Sequence, residues 1–247
     1  MKILGDSNIT AASITATNII SSALTDKLKT FTLTDNLRTI SNSTRLDITF
    51  DGTIPNIDTI ALCGTNLTPS AVVTLTYADV DINSPDGTVV LPTFSTLHQV
   101  FFLDASINKK YLRINIVDTG LSTINIGYIY AGVAIDIPFV EFGHVPGLNI
   151  FSNSSVTATG QSYGSKIYNS LPVDFTMLIN YDLLESYMEI KQEKQNIDRV
   201  LIVEYIDSYD LALYRPKYGV LVGEETPFPI SENNLTYAVS DRLEERF

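Results

Sequence analysis

The chain has no tryptophan, one cysteine, two histidines and no glutamate before residue 141. Each shortage excludes something. The single cysteine, Cys63, has no partner for an intrachain disulfide. Its setting, Ile60-Ala61-Leu62-Cys63, reads as a buried and inert thiol. One free thiol fits assembly in a reducing cytoplasm. His98 and His144 stand on different segments, with no Cys or His at ligand spacing, so the pattern offers no zinc site. No apolar run approaches the ~18 residues of a membrane span. The opening Met1-Lys2-Ile3-Leu4 meets Gly5 and Asp6 too soon to make a signal-peptide core. Basic residues are also short, 16 against 28 acidic, for a net charge of −12. Such a chain repels polyphosphate, which excludes sequence-specific nucleic acid as a partner. Neither a P-loop nor a dinucleotide-binding glycine pattern occurs, and no cofactor is implied.

What is present is apolar and alternating. Hydrophobic residues make up 45% of the chain, enough for a packed core. The stretch from Lys109 to Phe139 is the clearest. Leu112, Ile114 and Ile116 alternate with Tyr111, Arg113 and Asn115. Ile124, Ile126, Tyr128 and Tyr130 alternate with Asn125, Gly127, Ile129 and Ala131. Period 2 with β-branched residues predicts strands. The intervening loop contains Gly120, so the stretch predicts three consecutive antiparallel strands, the inner part of a β-sandwich. Further strands are expected at Leu46–Phe50, Thr59–Cys63, Val72–Tyr77, Val89–Leu91 and Gln99–Leu103. Turn signals at Asp51-Gly52 and Asn83-Ser84-Pro85-Asp86-Gly87 separate them. Residues 7–25 read as an edge strand or an arm ordered by a partner.

The composition changes near Pro138. Residues 1–138 carry twelve Asp and no Glu, and residues 139–247 carry six Asp and ten Glu. Glu favours helices and Asp favours turns, so the first part should be nearly free of helix. The net charges are −4 and −8. The boundary falls at Pro138–Gly147, giving a β-sandwich over 1–138 and an α+β domain over 139–247. The second part predicts one main helix, Asp182–Asn196, with Asp182 as N-cap and Glu185 completing a capping box. Leu183, Leu184, Tyr187 and Met188 share its apolar face. Strands are expected on both sides, at Phe175–Ile179 and Arg199–Tyr205. Leu211–Arg215, Tyr218–Val222 and Leu235–Val239 follow.

Few residues group as chemistry requires. Gly160-Gln161-Ser162-Tyr163-Gly164 matches the nucleophile elbow of hydrolases. That motif needs a helix after it and a later histidine, and both histidines precede Ser162. Asp79, Asp81 and Asn83 begin like a calcium loop, but Ser84 and Val90 break the EF-hand pattern. A looser calcium site at Asp79, Asp81 and Asp86 stays open beside a plain solvated hairpin tip. Glu224-Glu225 and Asp207 with Asp210 are sequence neighbours, and nothing holds them across a cleft as a glycosidase requires.

The order Leu46-Asp47-Ile48-Thr49-Phe50, then Ile57 through Leu67 with its Gly64-Thr65-Asn66-Leu67 turn, then Lys110-Tyr111-Leu112-Arg113-Ile114, resembles the galactose-binding-like (discoidin-type) β-sandwich, a jelly roll. The whole chain resembles bacteriophage tail proteins that join such a sandwich to an α+β, ring-forming domain of the tail-tube or distal-tail kind. The resemblance implies a mainly β, non-enzymatic virion protein: a homo-oligomeric ring at the tail or tail tip, around the DNA channel. Its partners would be other tail proteins and, through the sandwich, a host glycan. Acidic walls in such a channel would repel DNA. The stretch Glu224, Glu225, Pro227, Phe228 and Pro229 is the candidate assembly contact, two prolines stiffening it around an apolar anchor.

Overall fold

The computed structural model describes residues 2–5, 7–30, 36–93, 97–137, 139–143, 149–156, 162–194, 199–204, 215–222, 227–231 and 236–246. The chain divides into two compact units. One is Leu4–Ala134; the other joins Met1–Ile3 to Ile135–Phe247. The first strand, β1 (Lys2–Leu4), therefore pairs in the sheet of the second unit rather than in the sandwich. The sequence reading assigned those residues to the first domain. Half of its joint, Pro138 and 144–147, lies outside the described residues.

The first unit is a β-sandwich. Its larger sheet has five antiparallel strands: β2 (Ala12–Ala16), β4 (Ser43–Phe50), β6 (Val72–Ala78), β7 (Gly87–Leu91) and β9 (Tyr111–Val117), in the order β2-β4-β9-β6-β7. The short strand β3 (Leu37–Arg38) pairs with β10 (Asn125–Ile126). The smaller sheet has β5 (Ile57–Cys63) between β8 (Gln99–Ile107) and β11 (Tyr128–Gly132). One core lies between the sheets, with Leu46, Ile48, Leu75, Leu112 and Ile114 from one meeting Ile60, Leu62, Phe101 and Ile129 from the other. In β9 the alternation is as the sequence reads: Leu112, Ile114 and Ile116 are fully buried. Each such side chain contributes about 1.5–3 kcal/mol on leaving water. Residues 7–25 supply the edge strand β2 and short 3-10 turns at Asn8–Ala11 and Ser22–Leu24, and a third turn follows at Asp26–Lys29. No α-helix occurs among the described residues of this unit.

The three consecutive strands expected between Lys109 and Phe139 are not a meander. They lie in three different sheets. β9 is central in the five-stranded sheet, β11 pairs with β5, and β12 (Ala134–Asp136) pairs with β1. The Gly120 loop crosses from one sheet to the other. Its alternation misleads because β11 is buried on both faces, and a strand covered on both sides carries no period. Gly127 also breaks the run: its N–H donates to Cys63 O at 2.9 Å, separating β10 from β11.

Within the larger sheet, Tyr77 and Gly87 are register partners. A Cβ at Gly87 would collide with the Tyr77 hydroxyl and ring. The ring thus covers the space the glycine leaves. Gly87→Val is expected to cost about 1–3 kcal/mol, measured by chemical denaturation. The double variant with Tyr77→Ala should fall short of the sum of the singles, because the two residues share one site.

The second unit is a sheet with one helix. The remaining strands are β13 (Phe139–Gly143), β14 (Asn149–Val156), β15 (Ser162–Asn180), β16 (Arg199–Glu204), β17 (Arg215–Val222), β18 (Phe228–Ser231) and β19 (Thr236–Arg246). Their order is β12-β1-β16-β17-β19-β15-β13, with β14 on β15 and β18 on β19. Strand β15 meets β19 from Ser170 to Asn180. Its first part, from Ser162, runs beyond β19 and, among the described residues, pairs only with β14, as a two-stranded ribbon.

The helix α1 (Tyr181–Lys194) overlies the predicted span, starting one residue before Asp182 and ending two before Asn196. Its cap differs from the expectation. Asn180 Oδ1 accepts the Leu183 N–H at 3.0 Å, so Asn180 is the N-cap and Asp182 falls in the first turn. The Asp182–Glu185 capping box is displaced because an Asn two residues earlier takes the same role. Leu184 and Tyr187 are buried, as the apolar face predicts, and so is Lys191.

Candidate functional site

Strand register defines two ends of the sandwich. At one end, β4 stops at Phe50 opposite the start of β2, Ala12. The 3-10 turn Asn8–Ala11 precedes β2, and the segment 51–56 follows β4. Between them lies a cleft of about 200 Å³, lined by Ser7, Asn8, Thr10, Phe50, Asp51, Thr53 and Pro55, with Ala11 at its rim. Its floor is fixed. Ser7 Oγ accepts N–H bonds from Ile9 at 3.4 Å and from Ala131 at 3.1 Å, tying the turn to β11. Thr10 donates its hydroxyl to Ser7 O at 3.1 Å. Phe50 is buried beneath. Gly52 has φ of 113°, a conformation that L side chains avoid. A Cβ there would meet nothing within 4 Å, so the constraint is the backbone itself. This turn places Asp51 and Thr53, on either side of the glycine, along the same cleft.

At the other end the loops are pinned to one another. The buried Asp118 carboxylate accepts four hydrogen bonds. They come from Thr68 N at 2.7 Å, Thr68 Oγ1 at 2.8 Å, Gly120 N at 2.9 Å and Ser70 Oγ at 3.3 Å. Burial pushes this carboxyl upward, but the bonds, led by Thr68 N–H, outweigh it and hold the group below its usual range. Asn66 bridges in both directions, donating to Thr123 O at 3.0 Å and accepting from Asn125 N at 2.8 Å.

The three acidic residues of the β6–β7 hairpin do not converge on an open space. Lys109 Nζ stands 2.6 Å from Asp79 Oδ2 and 3.0 Å from Asp86 Oδ2. The ammonium occupies the position between the carboxylates that a cation would need. Hydrogen bonds to Asp79 and then Asp86 raise the lysine's pKa, and the Lys109 bond lowers that of Asp86. Asp81 turns aside, its Oδ1 accepting the Asn83 backbone and amide N–H groups at 2.9 and 3.1 Å. Nearby, Arg113 forms a forked pair with Asp47, Nε at 2.6 Å and Nη2 at 3.2 Å. Among the described residues, no group of three or more His, Cys, Asp or Glu is arranged to hold a metal ion.

The remaining expected sites divide. Cys63 is fully buried, and desolvation pushes its thiol well up, as an inert core residue requires. His98 is buried, and its Nδ1 accepts the Gly64 N–H at 3.3 Å. Ser162 opens strand β15, so a strand stands where the nucleophile elbow needs a helix. Gly160, Gln161, His144, Asp207, Asp210, Glu224 and Glu225 lie outside the described residues. Phe228 and Pro229 belong to a strand, not a loop: β18 pairs Phe228 with Ala238 and Pro229 with Tyr237. Phe228 is 70% exposed, Pro229 is exposed and Pro227 is half-buried. No described helix is long and apolar enough to cross a membrane.

No known family's sequence profile matches the chain, and no curated protein matches it. Solved structures do resemble it over about half its length. One is the Clostridium perfringens module CpGH89CBM32-6, at 7% identity and a TM-score of 0.41, covering 51% of this chain and 98% of that one. Another is chitosan-binding module 1 of a chitosanase/glucanase from Paenibacillus sp. IK-5, at 10% and 0.43, covering 52% and 99%. A third is the Streptococcus pneumoniae fucose binding module SpX-3, at 6% and 0.40, covering 52% and 98%.

The cleft residues Asn8, Asp51 and Thr53 are absent from the sequence-based candidates. Asp51-Gly52 reads as a turn, and Asn8 lies 43 positions earlier. Only the pairing of β2 with β4 brings them together. The buried Lys191 is also missed, though its spacing of four from Tyr187 and seven from Leu184 places it on the apolar face.

Proposed function

We propose that the protein is a non-catalytic structural subunit of a phage tail tip, built to join copies of itself through its C-terminal sheet. The observation that carries this is the strand edge of that unit, left unpaired among the described residues. The β14–β15 ribbon runs past β19, and β18 offers Phe228 at 70% exposure. A two-stranded ribbon is marginal alone, and an unpaired edge favours pairing with another chain. The resemblance to ring-forming tail proteins and the −8 charge of residues 139–247 support a ring around DNA, assembled in the host cytoplasm and carried in the virion. The full chain is expected to run in solution as a defined multiple of 27.3 kDa. Phe228→Asp should shift it toward monomer with its thermal midpoint unchanged, as read by light scattering and circular dichroism. A monomer at every concentration, for the unaltered chain, would refute the proposal.

A second reading concerns the sandwich, which would recognise a host glycan for the particle. The solved structures of similar shape include a chitosan-binding module and a fucose binding module, but what those proteins bind is theirs. For this chain the support is its own loops, held in place by Asp118, Asn66 and Ser7 before any ligand arrives. Such preorganisation lowers the entropic cost of binding a small polar ligand. Screening the full chain on a glycan array tests this reading directly.

A further inference from the structure

We infer that the cleft between the Asn8–Ala11 turn and the Asp51–Pro55 segment is the sugar site, taking one pyranose ring through paired hydroxyls. This rests on the glycan reading and names its location. The residues present select the ligand class. Asp51 offers two carboxylate oxygens with up to four acceptor positions, an arrangement that matches two neighbouring hydroxyls on a ring. Asn8 adds an amide that both donates and accepts, and Thr53 adds a hydroxyl. No hydrogen bond or ion pair of the described structure occupies these three side chains. Pro55 and Ala11, both lining the cleft, give apolar surface for the C–H face of a sugar.

Other ligand classes fit less well. The Asp51 carboxylate, in a chain of net charge −12, repels phosphate and other anions. One carboxylate is too few for a calcium ion, which takes six to eight oxygens. A large apolar ligand would strand Asn8, Asp51 and Thr53 without water. The volume of about 200 Å³ holds roughly six or seven waters at about 30 Å³ each, the room of one sugar ring rather than of a chain. The floor is tied to β11 through Ser7, and the Gly52 turn sets Asp51 and Thr53 beside it.

The test uses the full-length chain and saturation-transfer NMR with titration calorimetry. The probes are galactose, N-acetylgalactosamine, fucose and glucosamine. Binding of a neutral sugar is expected, weakened about tenfold by Asp51→Ala, the factor for losing one hydrogen-bonding group. Thr53→Val should weaken it less, and neither change should move the thermal midpoint. Gly52→Ala should weaken binding by bending the rim while leaving every pairing group present. Sugar binding undiminished by all three variants would overturn this site but leave the glycan reading intact. No binding of any sugar, here and on the array, would overturn both. Binding of glucosamine alone would show a charge contact with Asp51 and overturn the hydroxyl-pairing site.

Discussion

Asp241→Asn is expected to destabilise the C-terminal unit by about 3–5 kcal/mol, the cost of leaving a buried charge without its partner. Asp241 lies on β19, its side chain fully buried, and Lys191 of α1 is 3% exposed; Nζ stands 2.8 Å from Oδ2. Tyr187, one turn earlier on the helix, donates its hydroxyl to the same oxygen at 2.5 Å. Helix and sheet are thus locked by one carboxylate atom that accepts the Tyr187 hydrogen bond and pairs with the Lys191 charge. Among the described residues the ammonium has no hydrogen-bond partner, so attraction to Asp241 is most of what compensates its burial. Denaturation followed by far-UV circular dichroism will read the loss through α1. Replacing the set with apolar residues, Lys191→Met with Asp241→Leu and Tyr187→Phe, should recover most of it, since apolar packing does not require charge to be desolvated. Recovery no better than the single variant would show that the lock acts through something other than charge. Burial first, and then the negative charge and hydrogen bond of Asp241, raise the Tyr187 pKa. Its contribution is therefore complete below the ordinary phenol value of about 10 and declines as pH rises past it. Tyr187→Phe should flatten that alkaline decline.

Asp118→Ala should cost the sandwich about 2–4 kcal/mol. Bonds to a charged acceptor contribute about 1.5–3 kcal/mol each, and four donors converge here, but those near the surface can turn to water. The effect should be visible as a fall in denaturation midpoint with unchanged slope. The folded pKa is depressed, so the stabilisation is present above the unfolded carboxyl value of about 3.9. It is lost as pH falls through the folded value. Asp118→Asn should therefore show a shallower acid decline than the unaltered chain. Equal acid profiles for the two would place the carboxylate's effect elsewhere.

The sequence shows the strands of the larger sheet well, and the reason is physical. β4 and β9 each bury one face, so Leu46, Ile48 and Phe50, or Leu112, Ile114 and Ile116, mark the inside at every second position. It shows partners poorly. Nothing local in Tyr128–Gly132 says that its neighbour is β5, some 70 positions earlier. The helix was legible from Leu184 and Tyr187, while its cap moved because Asn180 and Asp182 are chemically equivalent candidates for one position. Lys191 was hidden by its type: a lysine on a helix ordinarily faces water, and only the Asp241 carboxylate on a distant strand permits its burial. The cleft was hidden for a related reason, since Asn8 and Asp51 meet through sheet register alone.

The pairing of β1 with β12 has a consequence for how such a chain can be built. Lys2 Nζ and Asp136 Oδ2 stand 3.7 Å apart, although 133 residues separate them along the chain. Everything between Leu4 and Ala134 is a guest, spliced between two adjacent strands of a host sheet. Guests of this kind need only that their entry and exit points lie close together, a condition most compact domains meet. Exchanging the guest for another compact module, or replacing it with a short turn, would alter what the protein carries while leaving the sheet that carries it.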